Sequence, residues 1–421
     1  MIYCVAAAIY IVFAICNLSG LANDIVVRNA IQIFLVAIAS FAYIHNVCKR
    51  ECKTAYIIAY FLRLALLLFS VFGREIGNLP FDGGDTEFFY SATITQTSHE
   101  YFGHDSLVTI TAYISYALGD ARLLYQYGLT LLSLLGIRTT ELVMEKLEIP
   151  KDIVHKCMCI LAIMPSFAIF NVIYSREAIV MTCIVASFYF FILHLCASDS
   201  LKKFFFVCLA IAFAIVACPF HAAPVSLVMG YVVCLMIYDQ KSNCFGITIK
   251  SLLFGSSVLF FLISLILLFP NLFEKISGLG GIQAVARRFM YESNLDAGSS
   301  YAQYVGDSDT IGRFIVYTPA RMFYGMFAPL PWEWRGLADV ATFFGDSLLY
   351  ILAYFGALIN IIRKKHWLDF FGWFVLTLLI VAVTIGWGCV AFGTAIRHRD
   401  KFLPLFIVLL SLEIKDLKKH I

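Results

Sequence analysis

Charged side chains are scarce in this chain. Asp, Glu, Lys and Arg make up 14% of the 421 residues, whereas 61% of the residues are hydrophobic. Soluble globular domains carry about a quarter of charged residues, so the composition excludes an ordinary soluble domain. The net charge of +3 is also too small to indicate a nucleic-acid-binding protein. The sequence therefore predicts an integral membrane protein.

Motifs that identify several enzyme classes are absent as well. The sequence has no glycine-rich phosphate loop of the Walker type, no Gly-x-Ser-x-Gly elbow and no His-Glu-x-x-His. These absences argue against nucleotide-driven transport, an α/β-hydrolase and a zinc peptidase. The 13 cysteines lack the neighbouring Cys or His that a zinc site needs. We interpret them as small apolar residues inside helices.

Long apolar runs, by contrast, fill most of the chain. A helix needs about 20 predominantly apolar residues to cross a bilayer. Runs of this kind predict an all-α, polytopic transmembrane bundle of about twelve spans, forming a single membrane domain over residues 1–421. The predicted spans are 1–18, 28–47, 54–72, 121–143, 154–173, 177–196, 203–219, 221–238, 249–269, 340–362, 368–390 and 400–415. The first is not followed by a small-residue cleavage site, so we expect it to be retained.

The distribution of Lys and Arg predicts the orientation. Basic clusters in the short loops all fall on one side of the predicted spans, which is then the cytoplasmic side, and both termini lie there. Two outer segments are long. The first outer loop, residues 73–120, contains an apolar stretch at 105–118 that we expect to lie along the interface as a helix. The large outer loop covers residues 270–339.

The first outer loop carries the motif Gly-Gly-Asp-Thr-Glu-Phe-Phe-Tyr, in which Asp85 and Glu87 are the acidic residues. Carboxylates beside a bilayer can deprotonate a sugar hydroxyl or hold a divalent cation near a phosphate. The plainer interpretation is a solvated turn, because Asp-Gly-Gly is a strong turn signal.

Arg176 and Glu177 lie at the outer junction of two predicted spans. An adjacent Arg and Glu between apolar segments are costly unless they are paired or functional. They can form an internal ion pair that fixes a helix hairpin. The alternative is a clamp for phosphate or pyrophosphate, because the planar guanidinium donates two parallel hydrogen bonds to oxyanions.

Arg397, His398 and Arg399 form a basic segment before the last predicted span, on the outer side, where short loops seldom carry positive charge. These side chains can extend to lipid headgroups. The more specific interpretation is a site for a lipid-linked pyrophosphate.

A second outer segment combines arginines, tryptophans and an acid. Its candidate residues are Arg321, Trp332, Glu333 and Arg335. The tryptophans can belong to an interfacial belt. Alternatively, aromatic faces stack on sugar rings while Glu333 and Arg335 hydrogen-bond sugar hydroxyls. Two further residues stand apart: Arg63, inside the third predicted span, is a functional candidate because intramembrane charge is costly, and His221 is interpreted as a capping histidine.

With Asp85 and Glu87 in the first large outer loop, followed by the stretch 105–118, the layout resembles bacterial polytopic glycosyltransferases of the GT-C type. The size, the large outer loop and the outward arginines Arg321, Arg397 and Arg399 resemble O-antigen and capsule repeat-unit polymerases. Three spans precede the acidic loop where many GT-C enzymes have one. No C-terminal soluble domain follows, which favours a polymerase over a protein mannosyltransferase.

The resemblance implies a surface-polysaccharide glycosyltransferase of the bacterial inner membrane. Its donor would be an oligosaccharide linked to polyprenyl (undecaprenyl) pyrophosphate. Its other partners would be a glycan acceptor, membrane lipids and a possible chain-length regulator, and nucleic acid would not be a partner. Asp85 or Glu87 would be the catalytic base or lie beside a divalent cation, and Arg176, Arg397 and Arg399 would hold the pyrophosphate. The alternatives are a transferase that moves one sugar from a polyprenyl phosphate, and a transporter or flippase of lipid-linked sugars.

Overall fold

The computed structural model describes residues 2–95, 106–239, 244–245, 249–268, 305, 310–364, 369–389 and 391–418. The regular secondary structure of these residues is helical, apart from a short antiparallel pair between Tyr238–Asp239 and Cys244–Phe245. The predicted all-α class is confirmed. Much of the large outer loop, residues 270–304 and 306–309, falls outside the described residues, as do residues 96–105 of the first outer loop.

The described chain contains 19 α-helices. They are α1 (Ile2–Leu18), α2 (Ile25–Val47), α3 (Lys53–Phe72), α4 (Asp85–Thr95), α5 (Ser106–Leu118), α6 (Arg122–Lys146), α7 (Lys151–Ile163), α8 (Pro165–Phe170), α9 (Glu177–Cys196), α10 (Ser200–Ala217), α11 (Pro224–Ile237), α12 (Ile249–Leu268), α13 (Ile311–Val316), α14 (Thr318–Phe327), α15 (Leu337–Thr342), α16 (Leu348–Lys364), α17 (Phe370–Gly388), α18 (Phe392–Asp400) and α19 (Leu403–Lys418). A 3-10 turn covers Pro331–Glu333, and the π-helical turn Phe343–Ser347 joins α15 to α16.

Six helical segments of the described chain are long and apolar enough to cross a membrane. They are Ile25–Val47, Lys53–Phe72, Glu177–Cys196, Ser200–Ala217, Asp339–Arg363 and Phe370–Gly388. Shorter apolar helices lie at Cys4–Leu18, Leu107–Leu118 and Pro224–Ile237. A helix is present in each of the twelve predicted spans, and the expected helix at 105–118 forms as α5.

The chain divides into two compact units. The first unit contains residues 1–138 and 154–182, and the second contains residues 139–153 and 183–421. In the first unit, α1 packs against α2 and α5, α4 packs against α5, and α3 packs against α8. In the second unit, α17 packs against α11 and α14, and α16 packs against α19.

The predicted span 154–173 is not one continuous helix, which corrects the sequence interpretation. Helix α7 ends at Ile163, and α8 begins with Pro165 in its first turn. Proline has no backbone N–H and its ring disfavours a helical residue before it, so the helix breaks at Met164. Arg63 of α3 serves the freed backbone, because its Nη1 donates to the carbonyl of Ala162 at 3.2 Å.

Close helix packing in the second unit depends on glycine. A Cβ at Gly386 of α17 would lie 2.6 Å from the backbone N of Met322, and a Cβ at Gly325 of α14 would lie 3.2 Å from the Cα of Gly386. The two backbones therefore pass at a distance that side chains would prevent, as at the small-residue contacts of membrane helices.

Candidate functional site

Helix α4 places the predicted acidic residues of the first unit. The chain turns at Gly84, whose φ of +39° suits glycine, and the helix begins at the next residue, Asp85. Asp85 is exposed and Glu87 is half-buried, both in the first helical turn, where negative charge interacts favourably with the helix dipole. The turn signal is confirmed, but the motif continues as a helix packed against α5 and does not remain a loop.

Two arginines that the sequence analysis did not select meet at Glu87. Arg122 donates from Nη1 to Oε2 at 3.0 Å and from Nη2 to Oε1 at 2.5 Å. Arg74 makes an ion pair with Oε1 of the same carboxylate. The side chains of Arg74, Arg122 and Glu87 are 25%, 13% and 44% exposed, so the carboxylate is the outermost of the three groups.

Each guanidinium has a second anchor beneath the carboxylate. Arg74 donates from Nε to the carbonyl of Ser70 at 2.7 Å and from Nη2 to Oδ1 of Asp82 at 3.1 Å. Asp82 is buried, and it also accepts a 2.6 Å hydrogen bond from the hydroxyl of Ser70. The arginine is therefore held from the protein side, whatever occupies its outer side.

Arg122 is anchored in a comparable way. Its Nε donates to Oε1 of Gln126 at 3.1 Å, and its guanidinium lies 4.7 Å from the ring centroid of Tyr90. Gln126 is fully buried and is oriented by its own donations to Ser70 Oγ and to the carbonyl of Val172, both 2.9 Å long. Buried amides with this many partners adopt one orientation.

The charges around Glu87 alter its acidity. Burial raises the pKa of Glu87, but the hydrogen bonds and positive charges of Arg122 and Arg74 outweigh that effect and hold the pKa below its ordinary value. Glu87 is therefore a weak base while both arginines are bound. The described part of the chain contains no group of three or more His, Cys, Asp or Glu side chains placed to hold a metal ion, and the cation predicted at Asp85 and Glu87 remains a prediction.

Arg176 lies beside α4 as well. Its guanidinium is 5.9 Å from the ring centroid of Phe89, one helical turn after Asp85. Glu177 is buried at the start of α9. In the first unit, Arg176 thus contacts the helix that carries the acidic motif. The predicted roles of Arg176 and Glu177 remain predictions.

The second unit brings together the other predicted residues. Arg321 is fully buried, and its Nη1 donates to the carbonyl of Phe314 at 2.6 Å. Arg335 binds both carboxylate oxygens of Asp339, at 3.1 and 3.2 Å, and lies 5.3 Å from the ring centroid of Phe392. That contact places the 331–335 segment against the start of α18, which carries the basic segment 397–399.

Trp332 and Glu333 differ sharply in exposure. Trp332 is 65% exposed, as a sugar-stacking or interfacial residue requires, whereas Glu333 is buried. Oε2 of Glu333 accepts a 2.7 Å hydrogen bond from the backbone N–H of Leu330. Burial raises the pKa of Glu333, against the opposing effects of the Leu330 hydrogen bond and the charge of Arg335.

Arg399 is enclosed within the second unit. It donates from Nε to Asp346 at 2.8 Å, from Nη1 to the carbonyls of Met326 and Ala328 at 2.8 and 2.7 Å, and from Nη2 to Ser347 at 2.9 Å and to Asp346. A guanidinium has five N–H donors, and the protein uses all of them. This geometry favours a structural role for Arg399 over the predicted contact with pyrophosphate, whereas Arg397 is half-buried on the same helix.

His398 belongs to a chain of hydrogen bonds. The backbone N–H of Ala223 donates to Nδ1 of His221 at 3.0 Å, which places the proton of a neutral His221 on Nε2. Nε2 of His221 lies 3.2 Å from Nε2 of His398, and Nδ1 of His398 lies 3.2 Å from the sulfur of Cys389. His221, interpreted from the sequence as a capping residue, does accept a backbone N–H.

The residues that sequence reasoning missed are Arg74 and Arg122, with the anchor Gln126. One signal could have indicated the two arginines. Both lie in or beside the predicted first outer loop, on the side that the sequence predicts to face outward, where positive charge is disfavoured in membrane proteins.

Comparison of the chain with protein-family models, curated proteins and solved structures gives no match.

Proposed function

We propose that the protein is a glycosyltransferase of surface-polysaccharide assembly that takes its donor from a polyprenyl-pyrophosphate carrier, as a repeat-unit polymerase does. One observation carries most of this proposal. Two anchored arginines, Arg74 and Arg122, meet a half-exposed carboxylate just beyond the end of the apolar helix α3, next to the exposed Asp85. Anchored guanidinium groups beside a membrane helix suit the phosphate of a lipid carrier.

The finer architecture belongs to the same proposal. About twelve spans, arranged as in GT-C-type enzymes, would cross the bacterial inner membrane with both termini in the cytoplasm. The six helices that are long and apolar enough to span, together with the shorter apolar helices, support a multi-pass protein. Helix α5 would lie along the outer interface.

The chemistry transfers one glycan. The hydroxyl oxygen of the acceptor bonds to the anomeric carbon of the donor, and the bond from that carbon to the pyrophosphate oxygen breaks with its electron pair going to the pyrophosphate. The hydroxyl proton goes to Asp85, the exposed carboxylate of the motif. Positive charge at the departing pyrophosphate offsets the negative charge that develops there.

The predicted contacts of the second unit serve the sugars and the lipid in this proposal. Trp332 is exposed for stacking on a sugar ring, and Arg335 and Arg397 offer donors to hydroxyls or phosphates. A divalent cation at Asp85 remains an alternative to direct base catalysis. The glycan acceptor and a chain-length regulator are the expected partners.

Inactivating the gene in a host with a known surface glycan tests the proposal. Single repeat units on the outer lipid core are expected for a polymerase. Long chains that lack one sugar would instead indicate transfer from a polyprenyl phosphate, and substrate retained on the cytoplasmic face would indicate a flippase. Complementation with Asp85→Asn should fail at normal protein levels, whereas Glu75→Gln, which removes an exposed carboxylate nearby, should restore the glycan. An unchanged glycan after gene inactivation would overturn the proposal.

A further inference from the structure

The contacts of Glu87 with Arg74 and Arg122 raise the question of which group these arginines are arranged to bind. We infer that Arg74 and Arg122 form an oxyanion clamp for the phosphate groups of a lipid-linked donor, and that Glu87 occupies this clamp until the donor displaces it. The inference rests on the proposed function for the identity of the donor, but not for the clamp itself.

The anchoring of the two arginines supports a clamp that persists without Glu87. Arg74 keeps Asp82 and the carbonyl of Ser70, and Arg122 keeps Gln126 and the ring of Tyr90. None of these contacts involves Glu87. The two guanidiniums are therefore pre-organised, and pre-organised donors bind an anion at a lower entropic cost.

The exposure of the three side chains indicates that Glu87 is the group that moves away, toward solvent. Glu87 is 44% exposed, more than either arginine, and it lies on a helix that begins after a glycine turn. Its carboxylate can leave by a rotamer change toward solvent, without crossing the packed interior. Asp82, by contrast, is 1% exposed on the protein side of Arg74 and stays in place.

The charge of the clamp favours an entering phosphate. With Glu87 bound, two positive and two negative side chains, Arg74, Arg122, Asp82 and Glu87, balance one another. When Glu87 leaves, the remaining three carry a net charge of +1. A phosphate or pyrophosphate offers more negative charge than a carboxylate and accepts hydrogen bonds from both guanidinium planes.

Donor binding is therefore coupled to the basicity of Glu87. Glu87 released from the arginines regains the basicity that they suppress, next to Asp85 and at the moment when the donor phosphate is bound. Glu87 is then an internal competitor that keeps the clamp closed to weaker anions. Bulk carboxylates and chloride would not displace it as readily as a phosphate.

Equilibrium binding to the full-length protein in nanodiscs tests the clamp. The probes are radiolabelled pyrophosphate and sulfate, and no turnover is needed. Glu87→Gln should bind pyrophosphate about tenfold more tightly than the wild type, because the competing charge is gone. Arg74→Ala and Arg122→Lys should each weaken binding by about tenfold. If Glu87 only positioned the arginines, Glu87→Gln would weaken binding, and the inference would be wrong.

Glu75→Gln is the matched control. It removes the same charge near the site, and in the described structure Glu75 is exposed and has no side-chain hydrogen bond or ion pair. Its affinity for pyrophosphate should equal that of the wild type. An equal gain in Glu75→Gln and Glu87→Gln would reduce the effect to general electrostatics and overturn the clamp.

A pH series with sulfate provides a second measurement that does not depend on folding of an arginine variant. Sulfate is the probe because it keeps its charge to a lower pH than pyrophosphate does. Wild-type affinity should rise more steeply with falling pH than the affinity of Glu87→Gln, which retains Asp82 and Asp85 beside the arginines. Parallel curves for the two proteins would contradict displacement of Glu87.

The source of the phosphate is tested by competition. Nanodiscs that contain undecaprenyl phosphate should block the binding of soluble pyrophosphate, and nanodiscs of equal charge with phosphatidylglycerol should not. Equal competition by both lipids would mean that the clamp holds a bulk headgroup, and the donor assignment would fail. If the clamp binds pyrophosphate tightly but loss of the gene leaves the glycan intact, the proposed function is wrong and the clamp stands.

Discussion

Arg399 and Asp346 form a fully buried ion pair in the second unit, with side chains 0% and 1% exposed. The pair joins the π-helical turn Phe343–Ser347 to α18. Because Arg399 also donates to the carbonyls of Met326 and Ala328, it fixes the end of α14 as well. One guanidinium therefore connects three helical segments that are far apart in the chain.

Asp346→Asn should destabilise the second unit by about 3–5 kcal/mol, because it leaves the charge of Arg399 buried without a counter-ion. The substitution keeps the shape of the side chain and one acceptor oxygen. The measurement is thermal unfolding in detergent, followed by the fluorescence of the tryptophans.

The control is Asp339→Asn, at the pair with Arg335. The side chain of Arg335 is 47% exposed, and exposed pairs contribute about 0–1 kcal/mol. A loss of stability at Asp339 equal to that at Asp346 would show that burial of the Arg399 pair is not the determining factor.

Gly386→Ala should destabilise the protein by about 1–3 kcal/mol through overpacking, since the added methyl meets the backbone of Arg321 and Met322. Backbone cannot move aside as a flexible side chain can. Gly312→Ala in α13, where a Cβ would meet nothing within 4 Å, is the matched substitution and should cause no loss. Unfolding temperatures of the two variants compared with the wild type decide the outcome.

The sequence predicts the helices well where apolar runs are long. A helix is present in each predicted span, and six of the described helical segments are long and apolar enough to cross a membrane. The sequence predicts a loop where α4 forms, because Asp-Gly-Gly before it is a strong turn signal. In the structure this segment is a helix that packs against α5, and the local sequence does not reveal that contact.

The partners of charged residues cannot be predicted from the local sequence. The segment Arg397–Arg399 looks uniformly basic in sequence, yet Arg399 is enclosed while Arg397 is half-buried. Its carboxylate partner Asp346 is 53 residues away in the chain, so no local pattern reveals the pairing. The local sequence does not reveal the pairing of Glu87 with Arg122 either, because 35 residues separate them.

Glu333 should make stability depend on pH with the opposite sign to an ordinary ion-paired acid. Its pKa is raised in the folded protein, above the value of about 4.3 for an unfolded chain. The folded state therefore binds the proton more tightly, and stability falls as the pH rises from about 4.3 through the raised folded pKa.

Glu333→Gln keeps the acceptor for the Leu330 N–H and removes the titration. The unfolding temperature of the variant minus that of the wild type should grow between pH 4 and pH 7. A difference that stays constant over this range would contradict the role of burial at Glu333.

Arg63→Met should leave the stability of the first unit unchanged or raise it. Arg63 is fully buried in α3, and in the part of the chain that the structure describes its Nε and Nη2 have no hydrogen-bond partner and no carboxylate pairs with it. The cost of burying this charge offsets its donations to the carbonyls of Ala59 and Ala162, and apolar replacement of such a group is often neutral or stabilising. Arg399→Met is the contrasting variant, because it strands Asp346 and should lower the unfolding temperature. If Arg63→Met instead lost as much stability as Arg399→Met, the carbonyl contacts at the Pro165 break would outweigh the burial of the charge. If Arg63→Met kept its stability but lost surface glycan, the charge of Arg63 would serve the substrate and not the fold.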